Sequence, residues 1–339
     1  MARSTIGAGV RMRAAYLAAP GRVEVGSFPV PTPGPGQVLV RMSHAAVCGS
    51  DVHVVFGGMH DPAQLGRPGY PGHEGIGTIV AGQVPDLPPG SVVLTVPLGG
   101  HGGCFSEYQP VDAAQVIAVP GDGDPRRMLM AQQLGTTVYA LRSFLDGPVP
   151  GSAVIIGAGS AGLFFLQQLV ARAVSTVIVS DLDHHRRQLA HRMGATAVVP
   201  ADTESVVDAA RDLTAGVGAD LVIEAAGHDR TRADAVEAAR DRGTVGLFGY
   251  PDRTGLSPFP VERAFRKSLS IRFVNGTQRE PGLRSFREAL AMITTGAIDV
   301  EHCLGGFFPL AQAAAALAAA RDHGRGRAKI GIELTGGVA

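Results

Sequence analysis

Two short segments in the first third of the chain contain side chains that bind metal ions. The first reads Cys-Gly-Ser-Asp-Val-His from Cys48 to His53, and the second reads Gly-His-Glu from Gly72 to Glu74. Thiolate sulfur, imidazole nitrogen and carboxylate oxygen are ligands that zinc accepts. A lone cysteine is more often a small buried hydrophobe, but two such segments in one region favour a zinc site. Zinc with an open position lowers the pKa of a bound alcohol.

A glycine-rich turn later in the chain has the form expected of a dinucleotide-binding site. Gly157, Gly159 and Gly162 form G-x-G-x-x-G between a predicted apolar strand, Ala153–Ile156, and a predicted helix, Leu163–Arg172. The first glycine permits the tight turn, and the second lets the backbone approach a pyrophosphate. The third lets the helix and the strand pack closely. The position of the motif between strand and helix is what makes it specific.

The residues after this turn indicate which dinucleotide binds. The N–H groups of Ser160 and Ala161 lie at the predicted helix N-terminus, whose positive dipole end favours phosphate. Asp181 ends the next predicted strand, where a carboxylate accepts hydrogen bonds from the adenosine ribose and repels a 2′-phosphate. This favours NAD over NADP. The basic cluster His184–Arg187, with Arg186 as a candidate contact, is the opposing signal, and it also fits the solvated start of a helix.

The elements that must position these residues change in character along the chain. In the first third, short apolar runs between Pro/Gly clusters predict β-strands. From Ser152 onward, apolar strands alternate with helices, which is typical of a parallel sheet covered on both faces. The predicted elements before that point are strands at Arg13–Ala18, Val38–Ala46, Gly75–Val80 and Ser91–Val96, and one helix at Met128–Leu145.

Composition limits the partners and the location. The chain has 339 residues and a formal net charge of zero, so we expect two globular domains and no nucleic-acid partner. Residues 1–10 lack the apolar core of a signal peptide and are expected to be a loose extension or a misassigned start, and no apolar stretch is long enough to span a membrane. Cys48, Cys104 and Cys303 are widely spaced and odd in number, which favours a reducing cytoplasm over a disulfide framework.

Taken in order, C-G-S-D-x-H, G-H-E-G-x-G and the later G-x-G-x-x-G resemble the zinc-dependent medium-chain dehydrogenases/reductases, which include alcohol, polyol and threonine dehydrogenases. The likeness runs from about Met12 to the end of the chain, and it includes Gly103–Tyr108, Glu224–Gly227, Gly243–Gly249 and Lys329. It implies an α/β protein with a doubly wound parallel Rossmann sheet over 134–274. A β-rich, GroES-like catalytic domain would cover 1–133 and 275–339.

The resemblance also implies a role for each residue of the metal-binding motifs. Cys48 and His73 match zinc ligands, and Glu74 matches an acid that ligates the metal in some members and approaches it transiently in others. Ser50 and His53 match a proton relay from the alcohol through the cofactor ribose to water. Histidine suits the last step because its pKa lies near operating pH.

Further positions follow from the same resemblance. Asp51 matches a carboxylate that orients a ligating histidine. Phe248 and Gly249 fall where the backbone of family members borders the nicotinamide. Members of the family pair through the edge of the Rossmann sheet, so a homodimer or homotetramer is expected.

Two departures from the family pattern affect the metal. The lobe with four closely spaced cysteines that holds a structural zinc is missing between Val96 and Phe105, so one catalytic zinc and no structural zinc are expected. The acid or cysteine that precedes the Rossmann strand is replaced by Gln132 or Gln133. In the leading arrangement a water completes the three ligands. Completion by Cys104 or a glutamine, and weak or absent zinc binding, are the alternatives.

The sequence therefore leads to one principal hypothesis and two others. The principal one is a zinc- and NAD-dependent dehydrogenase that moves a hydride between a secondary alcohol or ketone and the nicotinamide. A zinc-free reductase of the same fold, acting on a polarised C=C or C=O bond, is favoured by the missing acid but weakened by Cys48 and His73. A non-catalytic NAD-binding protein would have no use for the Ser50/His53 relay.

Overall fold

The computed structural model describes residues 9–82, 87–98, 102–121 and 123–335, so most of the predicted N-terminal extension lies outside the described residues. The chain divides into two compact units. Unit 1 comprises residues 1–135, 276–325 and 329–339, and unit 2 comprises residues 136–275 and 326–328. The short segment 326–328 thus belongs to unit 2, whereas the sequence had assigned all of 275–339 to the β-rich domain.

Unit 1 is built on a seven-stranded sheet. The strands of unit 1, including a separate pair, are β1 (Arg11–Ala19), β2 (Arg22–Pro29), β3 (Gln37–Val47), β4 (Glu74–Gly82), β5 (Val92–Thr95), β6 (Tyr108–Asp112), β7 (Val116–Ala118), β14 (Phe307–Pro309) and β15 (Ile330–Glu333). Strands β1 and β2 form a separate antiparallel pair, and the large sheet has the order β14-β15-β3-β4-β5-β7 with β6 also paired to β3. Its helices are α1 (Gly49–Phe56), α2 (Pro125–Leu129), α3 (Ala131–Phe144, which continues into unit 2), α9 (Arg284–Thr294) and α10 (Ala313–Arg321).

The core of unit 1 lies between this sheet and α10. Buried side chains of β3, including Val38, Val40 and Met42, belong to one cluster with Ala316 and Leu317 of α10. Leu39 is also buried, so both faces of β3 are covered along Val38–Val40, as expected of a central strand. This packing fixes β3 in the middle of the sheet, from where it positions its neighbours on both sides.

Unit 2 contains a six-stranded sheet whose strand pairs are all parallel. Its strands are β8 (Ser152–Ile156), β9 (Thr176–Asp181), β10 (Ala197–Pro200), β11 (Ala219–Glu224), β12 (Ala239–Leu247) and β13 (Ser270–Phe273). Its helices are α4 (Ser160–Ala171), α5 (His184–Arg192), α6 (Val206–Asp212), α7 (Asp229–Ala238) and α8 (Val261–Arg266). The order β10-β9-β8-β11-β12-β13 reverses direction between β8 and β11, which is the doubly wound Rossmann arrangement. The predicted α/β fold with a Rossmann sheet and a β-rich catalytic domain is confirmed.

The helix predicted over Met128–Leu145 is present as α3 over Ala131–Phe144, but Met128 and Leu129 belong to the separate helix α2. Helix α2 begins after Asp124, whose side chain accepts a hydrogen bond from Arg126 N, and it ends at Leu129. The N–H of Met130 bonds the carbonyl of Arg127, three residues back, and this tighter turn separates α2 from α3. Apolar spacing alone does not reveal such a break.

No helix within the described ranges is long and apolar enough to cross a bilayer.

Candidate functional site

The pairing of three strands in unit 1 brings the predicted metal-binding residues together. In the antiparallel pair β3–β4, Ala46 lies opposite Glu74, so Cys48 just after β3 and His73 just before β4 come from neighbouring strand ends. On the other side of β3, Val47 lies opposite Ile330 of β15. Lys329 therefore enters the same region, although it is far away in sequence.

Cys48, His73 and Glu74 form a compact group of possible metal ligands. One ligand atom from each residue lies within 4.8 Å of the others. Two ligands on one zinc ion are separated by about 3.3–3.8 Å in a tetrahedron, so small side-chain rotations bring the three atoms onto one ion. The sulfur of Cys48 and the ring of His73 therefore lie close enough to reach a common ion.

Asp51 connects the two motif segments. Its Oδ2 accepts a hydrogen bond of 2.9 Å from Cys48 N, and its Oδ1 lies 3.0 Å from His73 Nδ1. Burial opposes charge on the imidazole, but the charges of Asp51 and Cys48 outweigh it and raise the pKa of His73 well above its usual value. With Nδ1 directed at a carboxylate, Nε2 is the nitrogen left to face a metal ion, as in carboxylate–histidine–zinc arrangements.

Glu74 makes a buried ion pair that the sequence did not indicate. Its Oε2 lies 2.6 Å from Lys329 Nζ, and Lys329 also donates a hydrogen bond of 2.6 Å to Gln133 Oε1. Burial opposes the ammonium charge, but Glu74 and neighbouring groups outweigh this and raise the pKa of Lys329. The pair holds one oxygen of Glu74 on Lys329.

The residues considered for the remaining ligand position have other partners. Gln132 is buried and donates its amide to the carbonyl of Thr95, and Gln133 accepts from Lys329. Cys104 lies outside the ligand group found among the described residues, and its Sγ donates to the carbonyl of Glu74. Burial raises the pKa of Cys104 well above its usual value, which keeps it a thiol and a poor metal ligand.

Ser50 and His53 lie on α1, directly after Cys48. The hydroxyl of Ser50 lies 3.5 Å from His73 Nε2, the nitrogen assigned to the metal. His53 is half-buried and follows one turn later on the same face of the helix. The structure thus brings Ser50 to the ligand group and places His53 on the same side of α1.

The donor set of this group fits a zinc ion. It offers one sulfur, one imidazole nitrogen and one carboxylate oxygen, with a histidine oriented from behind by Asp51. Asp51 and Glu74 are buried carboxylates, and buried Lys329 is the counter-charge of Glu74. A divalent cation bound to Cys48 and Glu74 as anions would balance the remaining negative charge, which is costly to bury uncompensated.

The glycine turn of unit 2 has the sterics that its motif predicts. Gly157 has φ +103°, a left-handed conformation that a side chain would strain. A Cβ on Gly162 would lie 1.9 Å from the carbonyl oxygen of Gly157, whereas a Cβ on Gly159 would meet nothing within 4 Å. The turn therefore requires glycine at the first and third positions for its own packing. At the second position it leaves open space where a pyrophosphate fits.

The hydrogen bonds around this turn involve several predicted contacts. Asp181 accepts from Ala158 N at 2.6 Å and from Asp183 N at 2.8 Å, and a carboxylate retains further lone pairs for ribose hydroxyls. Ser160 N donates to the carbonyl of Ala328 at 3.3 Å, so this N–H is shared with segment 326–328. Arg186 donates to the carbonyl of Arg327, in the same segment.

Phe248 and Gly249 follow the end of β12 and are hydrogen-bonded to the last residue of β11. Both of their N–H groups donate to the carbonyl of Glu224, at 2.9 Å each. The ring of Phe248 packs edge-on against Phe165 of α4, with the ring centroids 5.0 Å apart. This places them at the carboxyl edge of the sheet, the edge that carries the glycine turn.

Comparison with known proteins agrees with both halves of this description. Residues 34–121 match the model of the alcohol dehydrogenase GroES-like domain, and residues 161–295 match that of the zinc-binding dehydrogenase. A probable zinc-binding alcohol dehydrogenase of Mycobacterium tuberculosis is 31% identical over 346 residues, covering 91% of this chain and 85% of the relative. L-threonine 3-dehydrogenase of Bacillus subtilis is 29% identical, covering 83% of this chain and 87% of the relative.

The chain belongs to the zinc-dependent medium-chain dehydrogenase/reductase family. The predicted resemblance is therefore confirmed. Among solved structures, the alcohol dehydrogenase TADH from Thermus sp. ATN1 is similar, with a TM-score of 0.81 and 25% identity over 95% of this chain and 99% of the other. A zinc-dependent alcohol dehydrogenase of Streptococcus pneumonia has a TM-score of 0.83 with 23% identity, covering 97% of this chain and 100% of the other. As a family member, the chain is an oxidoreductase for alcohol-type substrates.

Sequence reasoning about this dehydrogenase noted Lys329 and Glu224 as part of the likeness but gave them no role. A signal for Lys329 was available, because Lys267 and Lys329 are the only lysines in a chain with 30 basic residues. Both are buried. For Glu224 the sequence offered only a charged residue at the end of an apolar strand.

Alanine substitutions at Gly159 and Gly162 should have different effects on this dehydrogenase. Gly162→Ala should lower the free energy of unfolding by about 1–3 kcal/mol, because its Cβ overlaps the Gly157 carbonyl. Gly159→Ala, at φ −66°, should leave stability within about 0.5 kcal/mol but weaken nicotinamide dinucleotide binding roughly tenfold or more. Denaturant unfolding and dinucleotide titration measure the two effects. Unchanged binding by Gly159→Ala would mean that the pyrophosphate does not approach this turn.

Proposed function

We propose that the protein is a zinc- and NAD-dependent dehydrogenase that transfers a hydride between a secondary alcohol, or the corresponding ketone, and the nicotinamide. The observation that carries this proposal is the group formed by Cys48, His73 and Glu74, with Asp51 behind the histidine. Cys48 follows β3, whereas His73 and Glu74 stand at the start of β4, so the group joins side chains from two neighbouring strand ends. A shared metal ion would account for this convergence.

The residues of unit 1 would have distinct tasks in this reaction. Cys48, His73 and Glu74 hold the zinc, which supplies Lewis-acid polarisation of the alcohol oxygen when bound. Asp51 fixes the orientation of the His73 ring, and Lys329 fixes one oxygen of Glu74. A water completes the ligand set in the proposal, because Gln132, Gln133 and Cys104 are engaged elsewhere.

Ser50 and His53 would remove the proton that alcohol oxidation releases. The nicotinamide would supply a hydride acceptor for the alcohol carbon, and the hydroxyl proton would leave separately. Ser50 Oγ would accept this proton, and the imidazole of His53 would release it to water. In the reverse direction the same groups deliver a proton to the ketone oxygen.

NAD is the dinucleotide that Asp181 favours. Its carboxylate is held at the end of β9 by two backbone N–H groups, and it is only partly buried. A 2′-phosphate near this charge would be repelled. The basic side chain of Arg187 has its own partners in the carbonyls of Asp181 and Leu182, which supports the reading of this cluster as a helix start. A solved structure of a zinc-binding dehydrogenase from Sinorhizobium meliloti, bound to NADP, makes the distinction worth testing.

We further propose a single catalytic zinc without a structural zinc, a cytoplasmic location and a homo-oligomer formed through unit 2. The chain has only three cysteines, too few for the usual four-cysteine lobe beside Cys48. All three are free thiols, as expected in a reducing compartment.

In the described part of the chain, β13 pairs only with β12, and Phe273 on this edge strand is 77% exposed. An exposed apolar edge strand is stabilised when a second copy pairs with it.

Metal analysis with two cysteine variants tests the proposed chemistry. The wild type should contain close to one zinc per chain. Cys48→Ala should lose the zinc and slow alcohol oxidation by about a thousandfold, since Lewis-acid polarisation contributes several kcal/mol, while dinucleotide binding persists. Cys104→Ser is the matched control and should retain zinc.

Zinc loss in Cys104→Ser would make Cys104 a ligand, and full activity of Cys48→Ala would favour the zinc-free reductase. A chain that binds NAD but oxidises no alcohol and reduces no carbonyl would be the non-catalytic binder.

The cofactor assignment is tested by Asp181→Asn, which removes the charge but keeps one acceptor oxygen. The ratio of kcat/KM for NADP to that for NAD should rise about tenfold or more, because repulsion of the 2′-phosphate is lost. Asp183→Ser removes a carboxylate two positions away and keeps a residue that caps α5, so this control should leave the ratio unchanged. An unaltered ratio in Asp181→Asn would assign the discrimination to other residues.

The oligomer is tested at the edge strand. Phe273→Glu should convert the assembly to monomers, because a charge would be buried against the partner. Val217→Glu changes another exposed apolar residue of unit 2, away from the sheet edge, and should leave the mass unchanged. Light scattering after size-exclusion chromatography measures both. A wild type that is monomeric at micromolar concentration would contradict the proposal.

A further inference from the structure

A buried acid at the end of β11 connects two turns at the carboxyl edge of the Rossmann sheet. Glu224 is completely buried. Its Oε1 accepts three hydrogen bonds, from Ala226 N at 2.8 Å, Gly227 N at 2.7 Å and Thr231 Oγ1 at 2.8 Å. The side chain therefore holds the turn that leads from β11 into α7.

The second turn is attached to the same residue through its backbone and its other oxygen. The carbonyl of Glu224 accepts from Phe248 N and Gly249 N. Its Oε2 has no hydrogen-bond partner in the described structure and lies against Gly249, where an added Cβ would be 2.7 Å from it. The contact with Gly249 is possible only because that residue has no side chain.

The backbones of the two turns are also in direct contact with each other. A Cβ on Gly227 would lie 2.1 Å from the carbonyl oxygen of Tyr250, and a Cβ on Gly249 would lie 2.3 Å from Gly227 N. Arg232 of α7 is buried and donates to the carbonyl of Gly227 at 2.6 Å, which fixes the first turn from its other end. Any displacement of one turn is consequently transmitted to the other.

The strand order shows which half of a dinucleotide these turns would meet. The sheet reverses between β8 and β11, and a ligand of such a sheet lies across the carboxyl ends at this reversal. The glycine turn after β8 takes the pyrophosphate, and Asp181 on β9 marks the adenosine half. Strands β11 and β12 lie on the opposite side of the reversal, so the turns after them face the nicotinamide half.

We propose that Glu224 is a positioning residue for the nicotinamide half of the dinucleotide site. Its carboxylate joins the turns 225–231 and 248–250 and thereby sets the backbone position of Phe248 and Gly249. Glu224 itself touches no ligand, because it is buried beneath these turns. This inference rests on the proposed dinucleotide function, and it adds a residue that acts on one half of the cofactor only.

The test compares affinities for NAD and for ADP, which lacks the nicotinamide half. Glu224→Leu removes the side-chain acceptor of Ala226 N and Gly227 N, while Thr231 Oγ1 keeps the carbonyl of His228. NAD affinity should therefore fall roughly tenfold or more while ADP affinity stays within about twofold. Glu224→Gln keeps an acceptor oxygen for the first turn and should restore most of the NAD affinity. Gly249→Ala disturbs the same junction from the other side and should reproduce the selective loss, which keeps the inference testable if Glu224→Leu does not fold.

Asp220 provides the matched control. It also bonds three groups, Ser152 N, Ser152 Oγ and Arg240 Nε, but it lies near the opposite end of the same strand. Asp220→Leu should lower stability without separating the NAD and ADP affinities. Parallel losses of NAD and ADP binding in the Glu224 and Gly249 variants would reduce Glu224 to a structural role and overturn the inference. A wild type that binds neither NAD nor NADP would instead refute the proposed function.

Discussion

The register between β3 and β4 is the constraint on which the candidate metal site depends. Ala46 opposite Glu74 places Cys48 and His73 at adjacent strand ends, and a slip by one residue would reverse the side on which each side chain lies. Strand β3 also sets the position of β15, since Val47 lies opposite Ile330. A single central strand thus determines where a thiol ligand, a histidine–glutamate pair and the ammonium of Lys329 meet.

Asp51 adds local rigidity to this arrangement. Its position one turn into α1 allows one carboxylate oxygen to bond Cys48 N while the other faces His73 Nδ1. The helix start and the strand start are therefore joined through one buried side chain. Such support matters because a metal-binding group functions only when its ligands are held close to the required geometry.

The sequence was informative where a site is encoded locally. The glycine turn and the segments at Cys48 and His73 are short motifs, and their chemistry follows from residue type and spacing. Contacts between distant residues were not predictable in this way. Lys329 and Gln133 are separated by 196 positions, and the pairing of β15 with β3 is what places Lys329 beside the candidate metal site. The role of Glu224 was not predictable for a related reason, because its partners are mostly backbone N–H groups, which the residue types do not reveal.

The two lysines illustrate how the fold uses side chains whose roles the motifs do not reveal. All other basic residues are arginines, yet Lys267 and Lys329 are both buried. Lys267 Nζ donates to the carbonyls of Val236, Glu237 and Ala239 around the end of α7, and Lys329 Nζ pairs with Glu74 and Gln133. An ammonium is compact and directs its donors to several acceptors, whereas the planar guanidinium needs a wider space.

The comparison of these lysines bears on how the metal site is held. Lys267 satisfies carbonyl groups that the end of a helix leaves without partners, so its charge serves the fold alone. In the proposed site Lys329 offsets the charge of a carboxylate that would also bind the metal, so the free energy of burying Glu74 would depend on Lys329 and on the metal together. Stability of unit 1 and metal affinity are consequently linked, since any ion that binds the folded ligand group stabilises the fold that brings β3, β4 and β15 into register.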